Sequence, residues 1–286
     1  HDADYIGLSF VQTAQDIINL KNRLAKHHSD ALVIAKIETK AAVENLEDIA
    51  EATDTMMVAR GDLSVETKPE AVPGIQRRIV ELAKRHRKPV IVATQMLESM
   101  IQSPQPTRAE VSDVATAVME GADAVMLSGE TSTGLFPVET VKMMKRVILF
   151  TERDELVRQA QSPLPLREHE RGNAISAAGV VLARQLPAKV IVAETATGQT
   201  ARNLSSLRPI VPIIMVTDRR RVYNQLAIVW GGKSYYYDKA HEAGEHIIAR
   251  LKADGAVVKG DAIVLASGHQ PGVPGGTDTV SIRMIQ

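Results

Sequence analysis

The sequence predicts an α/β protein: a partial TIM-type (β/α) barrel of about five of the eight units, followed by a smaller α/β sheet domain. Short apolar segments alternate with amphipathic ones up to about residue 150, as strands alternate with helices. The strands begin about 25 to 35 residues apart, the length of one βα unit. Polar or charged residues end four of the five strands. A barrel collects such strand ends around one mouth, whereas an open doubly wound sheet concentrates its site at one switch point, so this pattern favours the barrel.

Five parallel strands are predicted in the first part of the chain, at residues 5–10, 32–37, 55–59, 89–94 and 124–128. Apolar residues recur at helical spacing between them, for example over 17–24 and 43–50. Because a barrel has eight strands, we expect three further units on the amino-terminal side. The first residue is His1 rather than methionine, so we expect a piece of a longer chain.

A second domain is predicted after residues 161–166, where two prolines interrupt the helical pattern. We assign residues 1–155 to the partial barrel domain, 156–171 to a linker and 172–286 to a carboxy-terminal α/β domain. In that domain we predict helices at 173–186, 201–207, 220–229 and 240–253, and strands at 189–193, 213–217, 234–237, 262–266 and 279–285.

Composition excludes several classes of function. The formal net charge is zero, so no electrostatic field favours nucleic acid or an anionic membrane surface. Aromatic residues are scarce, which argues against base-stacking platforms. The chain contains no cysteine, which excludes disulfides and thiolate metal sites and fits a reducing compartment. No apolar run approaches the roughly 20 residues of a membrane span.

Charged residues follow two neighbouring apolar strands. Lys36 and Glu38 are two positions apart, so in an extended strand they point the same way, and Asp62 follows the next strand. Two carboxylates beside an ammonium are what a magnesium ion holding a phosphorylated substrate requires. The alternatives are ordinary surface charges at strand ends, or a Lys36–Glu38 ion pair with no catalytic part.

Two further positions, Gly61 and Thr94, offer substrate contacts. Gly61 lets a backbone or ligand approach closely, next to a predicted helix start whose amides suit a carboxylate or phosphate. Asp62 could instead be a helix cap. Thr94 ends the next strand and has a hydroxyl for hydrogen bonding or proton relay, although threonine is also simply a good strand residue.

Two loops carry weaker signals. Residues 107–110 form a capping box that starts a helix, and Arg108 within it either faces solvent or reaches a neighbouring subunit. Residues 194–201 combine hydroxyls, a glycine and a helix start, which is typical of an anion-binding nest or of a plain strand-to-helix turn.

Several segments together resemble the pyruvate kinase family, in the same order along the chain. In the first domain they are 35–38 (AKIE), 57–63 (MVARGDL), 93–100 (ATQMLESM), 106–111 (PTRAEV) and 126–131 (MLSGET). In the second domain they are 200–202 (TAR), 204–205 (LS) and 208–209 (RP). The resemblance covers essentially the whole chain.

The resemblance implies transfer of the phosphoryl group of phosphoenolpyruvate to ADP, giving pyruvate and ATP, as the final step of glycolysis in the cytoplasm. It implies that Glu38 and Asp62 hold Mg²⁺ (or Mn²⁺), and that Lys36 stabilises the transition state and contacts the substrate. It further implies a potassium ion whose ligands lie outside this chain.

The resemblance also assigns the remaining site residues. Arg60, Gly61, Asp62, Thr94 and Ser128 are implied in substrate binding, and Thr94 lies where the family routes a proton to the enolate. One departure is Ser64, which stands where the family usually has glycine.

Regulation and assembly are implied as well. Arg108 falls in a helix that the family uses at a subunit interface, so a homotetramer is implied. The effector loop, which we define as residues 195–200, matches the place where sugar-phosphate effectors bind in regulated members. Its implied effector-binding residues are Thr195, Thr197, Gly198, Gln199 and Thr200. No arginine stands in the middle of this loop, so the identity of the effector is open.

The family's first three barrel strands and the small domain inserted after the third have no counterpart in the sequence. We therefore expect the full-length protein to be the active enzyme and this chain alone to be inactive, because an open five-stranded sheet leaves unpaired edges. Two alternatives stay open: another metal-dependent barrel enzyme acting on phosphoenolpyruvate or a keto acid, and a sugar-phosphate-binding regulatory module.

Overall fold

The computed structural model of the chain describes residues 2–154, 157, 171–239, 242–268 and 277–286. The chain divides into two units, His1–Ser162 and Pro163–Gln286. Of the predicted linker, 156–171, only residues 157 and 171 are among those described, and residue 171 already belongs to a helix. The exact domain boundaries therefore stay predictions.

The first unit is built on a parallel sheet whose strands follow one another in chain order. The strands are β1 (Tyr5–Leu8), β2 (Leu32–Ile37), β3 (Thr55–Ala59), β4 (Val90–Ala93) and β5 (Ala124–Met126). Every neighbouring pair is parallel, so the five predicted parallel strands are confirmed. Three strands end earlier than predicted, and after two of them the backbone turns sharply, with positive φ at Phe10 and Thr94.

The helices of the first unit lie between and after these strands. They are α1 (Ala14–Lys26), α2 (Lys40–Glu44), α3 (Leu46–Ala52), α4 (Arg60–Glu66), α5 (Val72–Arg85), α6 (Arg108–Glu120), α7 (Gly129–Ser132) and α8 (Pro137–Arg153). Single 3₁₀ turns occupy Pro69–Ala71 and Glu98–Ile101. Over 43–50, where apolar residues recur at helical spacing, the chain forms two helices that meet at Asn45. The Asn45 side chain donates to the carbonyls of Ala41 and Gln12, and such local bonds compete with a continuous helix.

Burial differs across the first sheet. Strands β3 and β4 are buried at every position, as expected for a central parallel strand, whereas β2 alternates between buried and half-buried residues. The core lies where these strands meet the helices, with Ile37, Ile49 and Ile79 fully buried. Among the described residues β1 and β5 each pair with one neighbour, so this part of the sheet is open.

The second unit has its own mixed sheet with the strand order β10-β9-β6-β7-β8. The strands are β6 (Val190–Glu194), β7 (Ile213–Thr217), β8 (Gly232–Tyr236), β9 (Ala262–Gly268) and β10 (Thr277–Met284). Only β10 is antiparallel to its neighbour among the described strands. The predicted separate α/β sheet domain is therefore confirmed.

Helices cover both faces of the second sheet. They are α9 (Arg171–Gln185), α10 (Gln199–Ser206), α11 (Arg220–Gln225) and α12 (Ala243–Ala253). The helix predicted over 220–229 is too long, because it ends at Gln225 and a 3₁₀ turn follows, and residues 240–241 of the last predicted helix lie outside the described residues. Alternate residues of β6 enter two different cores: Ile191 packs with α9, α10 and α11, and Val192 packs with α12.

Within the described residues, none of the helices combines the length and the apolar character needed to cross a membrane.

The core of the first unit supports a matched pair of stability tests. Ile79 on α5 is fully buried, whereas Ile18 on α1 is 42% exposed. Ile79→Ala is expected to lower the free energy of unfolding by about 2–5 kcal/mol, because it leaves a cavity, and Ile18→Ala by under about 1 kcal/mol. Urea unfolding followed by circular dichroism measures both, and equal losses would contradict the difference in burial between Ile79 and Ile18.

Candidate active site at the carboxyl ends of the first sheet

The predicted site residues of the first unit leave consecutive strands at the same edge of the sheet. Glu38 follows β2, Arg60 to Asp62 follow β3, Thr94 follows β4, and Ser128 lies two residues after β5. Because β2 to β5 are all parallel and paired in sequence, their carboxyl ends point the same way. The structure therefore brings these residues to one edge.

Lys36 and Glu38 form the most buried ion pair at this edge. The Lys36 Nζ atom lies 2.6 Å from Glu38 Oε1, and the Glu38 side chain is only 1% exposed. The backbone N–H of Phe10 donates to Glu38 Oε2 at 2.7 Å, and Lys36 Nζ donates to Ser9 Oγ at 2.9 Å. The prediction that these two side chains point the same way is confirmed, and the turn after β1 completes the cluster.

The metal-binding prediction for Glu38 and Asp62 stays a prediction. Asp62 is exposed and lies in the first turn of α4, so the alternative that it caps this helix is wrong: the cap position is Ala59 and the helix begins at Arg60. Among the described residues there is no group of three or more acidic, histidine or cysteine side chains that could hold a metal. Two carboxylates nevertheless suit Mg²⁺, which commonly takes one or two carboxylates together with substrate phosphates and water.

Gly61 and Thr94, which follow the neighbouring strands β3 and β4, are in direct contact. The Gly61 N–H donates to Thr94 Oγ1 at 3.1 Å. Because Gly61 lies in the first turn of α4, its N–H has no partner inside the helix, and the hydroxyl supplies one. Thr94 has a φ of 71° and Gln95 a φ of 54°, which is the left-handed region that β-branched residues rarely adopt.

Arg60 points its guanidinium into the protein. It is 9% exposed, and its Nη1 atom lies 2.7 Å from both carboxylate oxygens of Asp113 on α6. Its other nitrogens donate to the carbonyls of Thr94 and Gln95. Any substrate contact of Arg60 is therefore left to its backbone, and Asp113 is a partner that the sequence reasoning missed.

Ser128 is held by a buried carboxylate. Its N–H donates to Glu130 Oε2 at 2.7 Å, and the N–H of Leu97 donates to the other oxygen of Glu130 at 3.2 Å. Glu130 is 2% exposed. It thus joins the loop after β5 to the loop after β4. The sequence shows Glu130 two residues after Ser128. Where the Glu130 side chain points, and which amides it binds, depends on the fold.

Arg108 is the first residue of α6 and is exposed. The predicted capping box beside it is confirmed: Glu110 N–H donates to Thr107 Oγ1 at 3.3 Å, and Thr107 N–H donates to Glu110 Oε2 at 2.7 Å. The box explains why the helix starts here. It leaves the predicted subunit contact of Arg108 as a prediction.

The effector loop of the second unit lies between β6 and α10. Gly198, with a φ of 81°, is the amino-terminal cap residue of α10, while Thr195 and Thr200 are buried. Arg202, in the first turn of α10, donates from Nη2 to the carbonyl of Thr197 at 3.1 Å and to Gln199 Oε1 at 3.2 Å. A cation therefore stands against this loop even though no arginine lies within it.

A half-buried carboxylate, Glu194, precedes the effector loop. Burial raises the pKa of Glu194 above its ordinary value, and a hydrogen bond of 2.6 Å from the N–H of Gly244 only partly offsets this effect. The negative charge of Glu245 raises the pKa further, whereas Arg283 lowers it. The folded state therefore disfavours the charged form of Glu194 relative to the unfolded state.

Comparison with known proteins decides the family. The profile described as "Pyruvate kinase, barrel domain" matches residues 1–141, and the profile described as "Pyruvate kinase, alpha/beta domain" matches residues 173–283. The chain belongs to the pyruvate kinase family. The family resemblance read from the sequence motifs is thereby confirmed, as is the fold class of a partial barrel with a second α/β domain.

Curated pyruvate kinases match along nearly the whole chain. The chain is 42% identical to a pyruvate kinase of Agrobacterium vitis over 283 residues, which is 98% of this chain and 59% of the relative. It is 40% identical to a pyruvate kinase of Thermotoga maritima over 289 residues, which is 100% of this chain and 61% of the relative. A solved pyruvate kinase structure from Cryptosporidium parvum superposes with a TM-score of 0.90 at 34% identity, covering 99% of this chain and 59% of that one. The chain thus spans about 60% of the length of the pyruvate kinases that it matches.

The raised pKa of Glu194 predicts a pH-dependent stability of the second unit. The folded state holds the Glu194 proton more tightly than the unfolded state does, so its stabilising effect is present in acid and is lost as the pH rises above about 4.3. Glu194→Gln has no charge to desolvate. This variant should therefore unfold at a higher urea concentration than the parent chain near neutral pH, and the difference should shrink in acid.

The control is Glu242→Gln, which removes a carboxylate that is 62% exposed in the same unit. Urea midpoints measured from acid to neutral pH should be nearly the same for this control and the parent. A Glu194→Gln variant whose midpoint falls below that of the parent at neutral pH would show that the Gly244 hydrogen bond outweighs the cost of burial.

Proposed function

We propose that the whole protein transfers the phosphoryl group of phosphoenolpyruvate to ADP, giving pyruvate and ATP. The observation that carries the proposal is the Lys36 ammonium, held 2.6 Å from the buried carboxylate of Glu38 at the same sheet edge as Thr94 and Gly61. An ion pair this buried stabilises a fold little by itself, so a chemical role accounts for it better than a structural one. Membership of the pyruvate kinase family supports the same reaction.

Lys36 is proposed to stabilise the transferring phosphoryl group. An ammonium has three N–H groups, and two of them have partners among the described residues, on Glu38 and Ser9. The third is left for a phosphoryl oxygen. Charge on the phosphoryl oxygens in the transition state is then neutralised by a group that is already in place and needs no reorganisation.

Glu38 and Asp62 are proposed to hold the divalent cation, Mg²⁺ or Mn²⁺. Each Glu38 oxygen accepts one bond from the protein and keeps a second lone pair, and the Asp62 carboxylate is exposed at the next strand end. These donors fit a hard cation that shares its coordination with substrate oxygens. A bound divalent ion would supply charge neutralisation at the phosphoryl group. The ligands of the potassium ion implied by the family resemblance are proposed to lie outside this chain.

Thr94 is proposed to deliver the proton that completes pyruvate. When the enol phosphate P–O bond breaks, the phosphorus bonds to a terminal oxygen of ADP and an enolate remains. The carbon end of the enolate then takes a proton. Thr94 Oγ1 accepts from the Gly61 N–H, so its own O–H is directed away from that amide and can donate, regaining a proton from water.

Substrate positioning is proposed for the remaining residues of this edge. The backbone of Arg60, Gly61 and Asp62 at the start of α4 would receive the substrate carboxylate, and Ser128 would line the same mouth. The proposed location of the reaction is the cytoplasm, in keeping with a chain without cysteine.

Regulation by a sugar phosphate is proposed at the effector loop, since Arg202 brings a guanidinium to Thr197 and Gln199. Thr195, Gly198 and Thr200 complete the loop. A guanidinium beside backbone amides and hydroxyls is well suited to a phosphate. A homotetramer is proposed as the assembly, with Arg108 at a subunit interface.

The catalytic proposal predicts a large effect of removing one ammonium. In the whole protein, at the length of its relatives, Lys36→Met should lower kcat for pyruvate formation by about 10²- to 10³-fold or more, because a preorganised charge is lost from the transition state. The matched control is Lys40→Met, whose side chain is 73% exposed and whose kcat should match the parent. The coupled assay follows pyruvate release in the presence of ADP and Mg²⁺.

Two outcomes would contradict the catalytic proposal. One is a Lys36→Met enzyme that keeps the parent's kcat, and another is pyruvate release from phosphoenolpyruvate without ADP, which would indicate a different barrel enzyme. A separate expectation concerns the 286-residue chain alone, which we expect to be inactive because, among the described residues, its first sheet is open at β1 and β5. Turnover by this chain near the rate of the whole protein would refute that expectation.

The regulatory proposal is tested on the chain as it stands. Calorimetry should detect binding of a sugar bisphosphate, and Arg202→Ala should weaken it by about tenfold or more because a charge-assisted contact is removed. Arg250→Ala, whose side chain is 56% exposed on α12, is the matched control and should bind as the parent does. Equal binding by both variants would exclude the effector loop as the site.

A further inference from the structure

The backbone at Thr94 and Gln95, which we call the Thr94 corner, is strained and held from one side. Both residues have positive φ, at 71° and 54°, and neither is glycine. Such conformations persist only where the surroundings over-determine them, and they concentrate at functional sites.

The N–H donors of the Arg60 side chain all bond within the protein, to the Thr94 corner and to Asp113. A guanidinium has five N–H groups. Nε and Nη2 both reach the carbonyl of Thr94, and Nη2 also lies 3.1 Å from the carbonyl of Gln95. Nη1 lies 2.7 Å from each oxygen of Asp113. The donors are thereby accounted for within the protein, so this side chain has no N–H to offer a substrate.

Asp113 fixes where the guanidinium stands. Its side chain is 35% exposed and projects from the second turn of α6, whereas the Arg60 side chain is 10% exposed. With Nη1 bound to α6, the opposite edge of the planar guanidinium faces the two carbonyls of the corner. The helix, the arginine and the corner thus form one connected unit.

We propose that the Arg60–Asp113 ion pair is a positioning strut for the Thr94 hydroxyl. Holding the two carbonyls keeps the corner in its left-handed conformation, and this conformation sets Thr94 Oγ1 at 3.1 Å from the Gly61 N–H. Arg60 and Asp113 do not touch the reacting atoms. They act through the Thr94 hydroxyl, which the proposed function makes the proton donor, so the kinetic arm of the test rests on that function.

A hydrogen-exchange experiment on the 286-residue chain tests the strut without any activity. Asp113→Ala should speed exchange of the Gly61 amide by about tenfold or more, because the corner relaxes and the hydroxyl leaves this N–H. The matched control is Asp54→Ala, which removes an ion pair of similar length, 2.8 Å to Lys21, from the start of β3. It should lower stability without selectively exposing that amide. If both variants speed exchange at Gly61 equally, the strut is only a general stabiliser and the proposal is wrong.

A double-mutant cycle in the whole protein tests the link to catalysis. Thr94→Ala removes the hydroxyl and keeps the carbonyl that Arg60 binds. Asp113→Ala should lower kcat by about 10- to 100-fold, as expected when a reacting group is misplaced. In the Thr94→Ala background, Asp113→Ala should lower kcat hardly any further, because the hydroxyl that this change would misplace is already absent. Losses that multiply would overturn the proposal.

Asp113→Asn keeps one acceptor oxygen and serves where the alanine variant does not fold. It should fall between the parent and Thr94→Ala in kcat. Failure of the proposed function can be told apart from failure of the strut proposal. If only the proposed function fails, the unsubstituted whole protein forms no pyruvate, but the Gly61 amide still exchanges faster in the Asp113 variants than in the parent. An unchanged kcat in an active Asp113→Asn enzyme, together with unchanged Gly61 exchange, would reject the strut.

Discussion

Parallel pairing of four neighbouring strands is the constraint on which the candidate active site depends. In a parallel sheet every strand ends on the same side, so Glu38, Asp62 and Thr94, which are successively 24 and 32 positions apart in the chain, reach one edge by topology alone. The register of β2, β3 and β4 aligns these ends directly: Ile37 pairs with Val58, and Ala59 pairs with Ala93. The alternating burial of β2 holds that register, since a slip by one residue would turn its buried side chains to the half-buried face.

Buried charge is the second feature of this edge, and both oxygens of each buried carboxylate accept a bond. Glu38 is almost inaccessible, and it is held by an ammonium and a backbone amide. Glu130 is held by two backbone amides from different loops. Leaving such a group without partners costs far more than the bonded pair contributes, so these contacts fix loop geometry even where they add little net stability. The loops after β1, β4 and β5 are in this way tied to carboxylates near the strand ends.

Backbone strain is the third feature and coincides with the first two. Phe10 and Thr94 both have positive φ, and each lies directly against a group at the candidate site: the Phe10 amide against Glu38, and the Thr94 hydroxyl against the Gly61 amide. A residue in this conformation turns its amide or side chain in a direction that an extended residue cannot. The chain accepts the local cost because the surrounding bonds, including those from Arg60, are made only in that conformation.

The sequence by itself determined the five parallel strands, the second sheet domain, the capping box at Thr107 and the pairing of Lys36 with Glu38. Each of these depends on local pattern: strand period, helix caps and residues two apart on one face. The family followed from short motifs in a constant order.

What only the tertiary structure decided was the direction of the long side chains and the turns between elements. Arg60 was read as a substrate contact, yet its guanidinium binds Asp113, which lies 53 residues further along the chain. Arg202 reaches the effector loop from the helix that follows it, and the α2–α3 break at Asn45 follows from its hydrogen bonds to two carbonyls. These outcomes depend on which elements lie side by side, and local sequence patterns carry no record of contacts between residues so far apart.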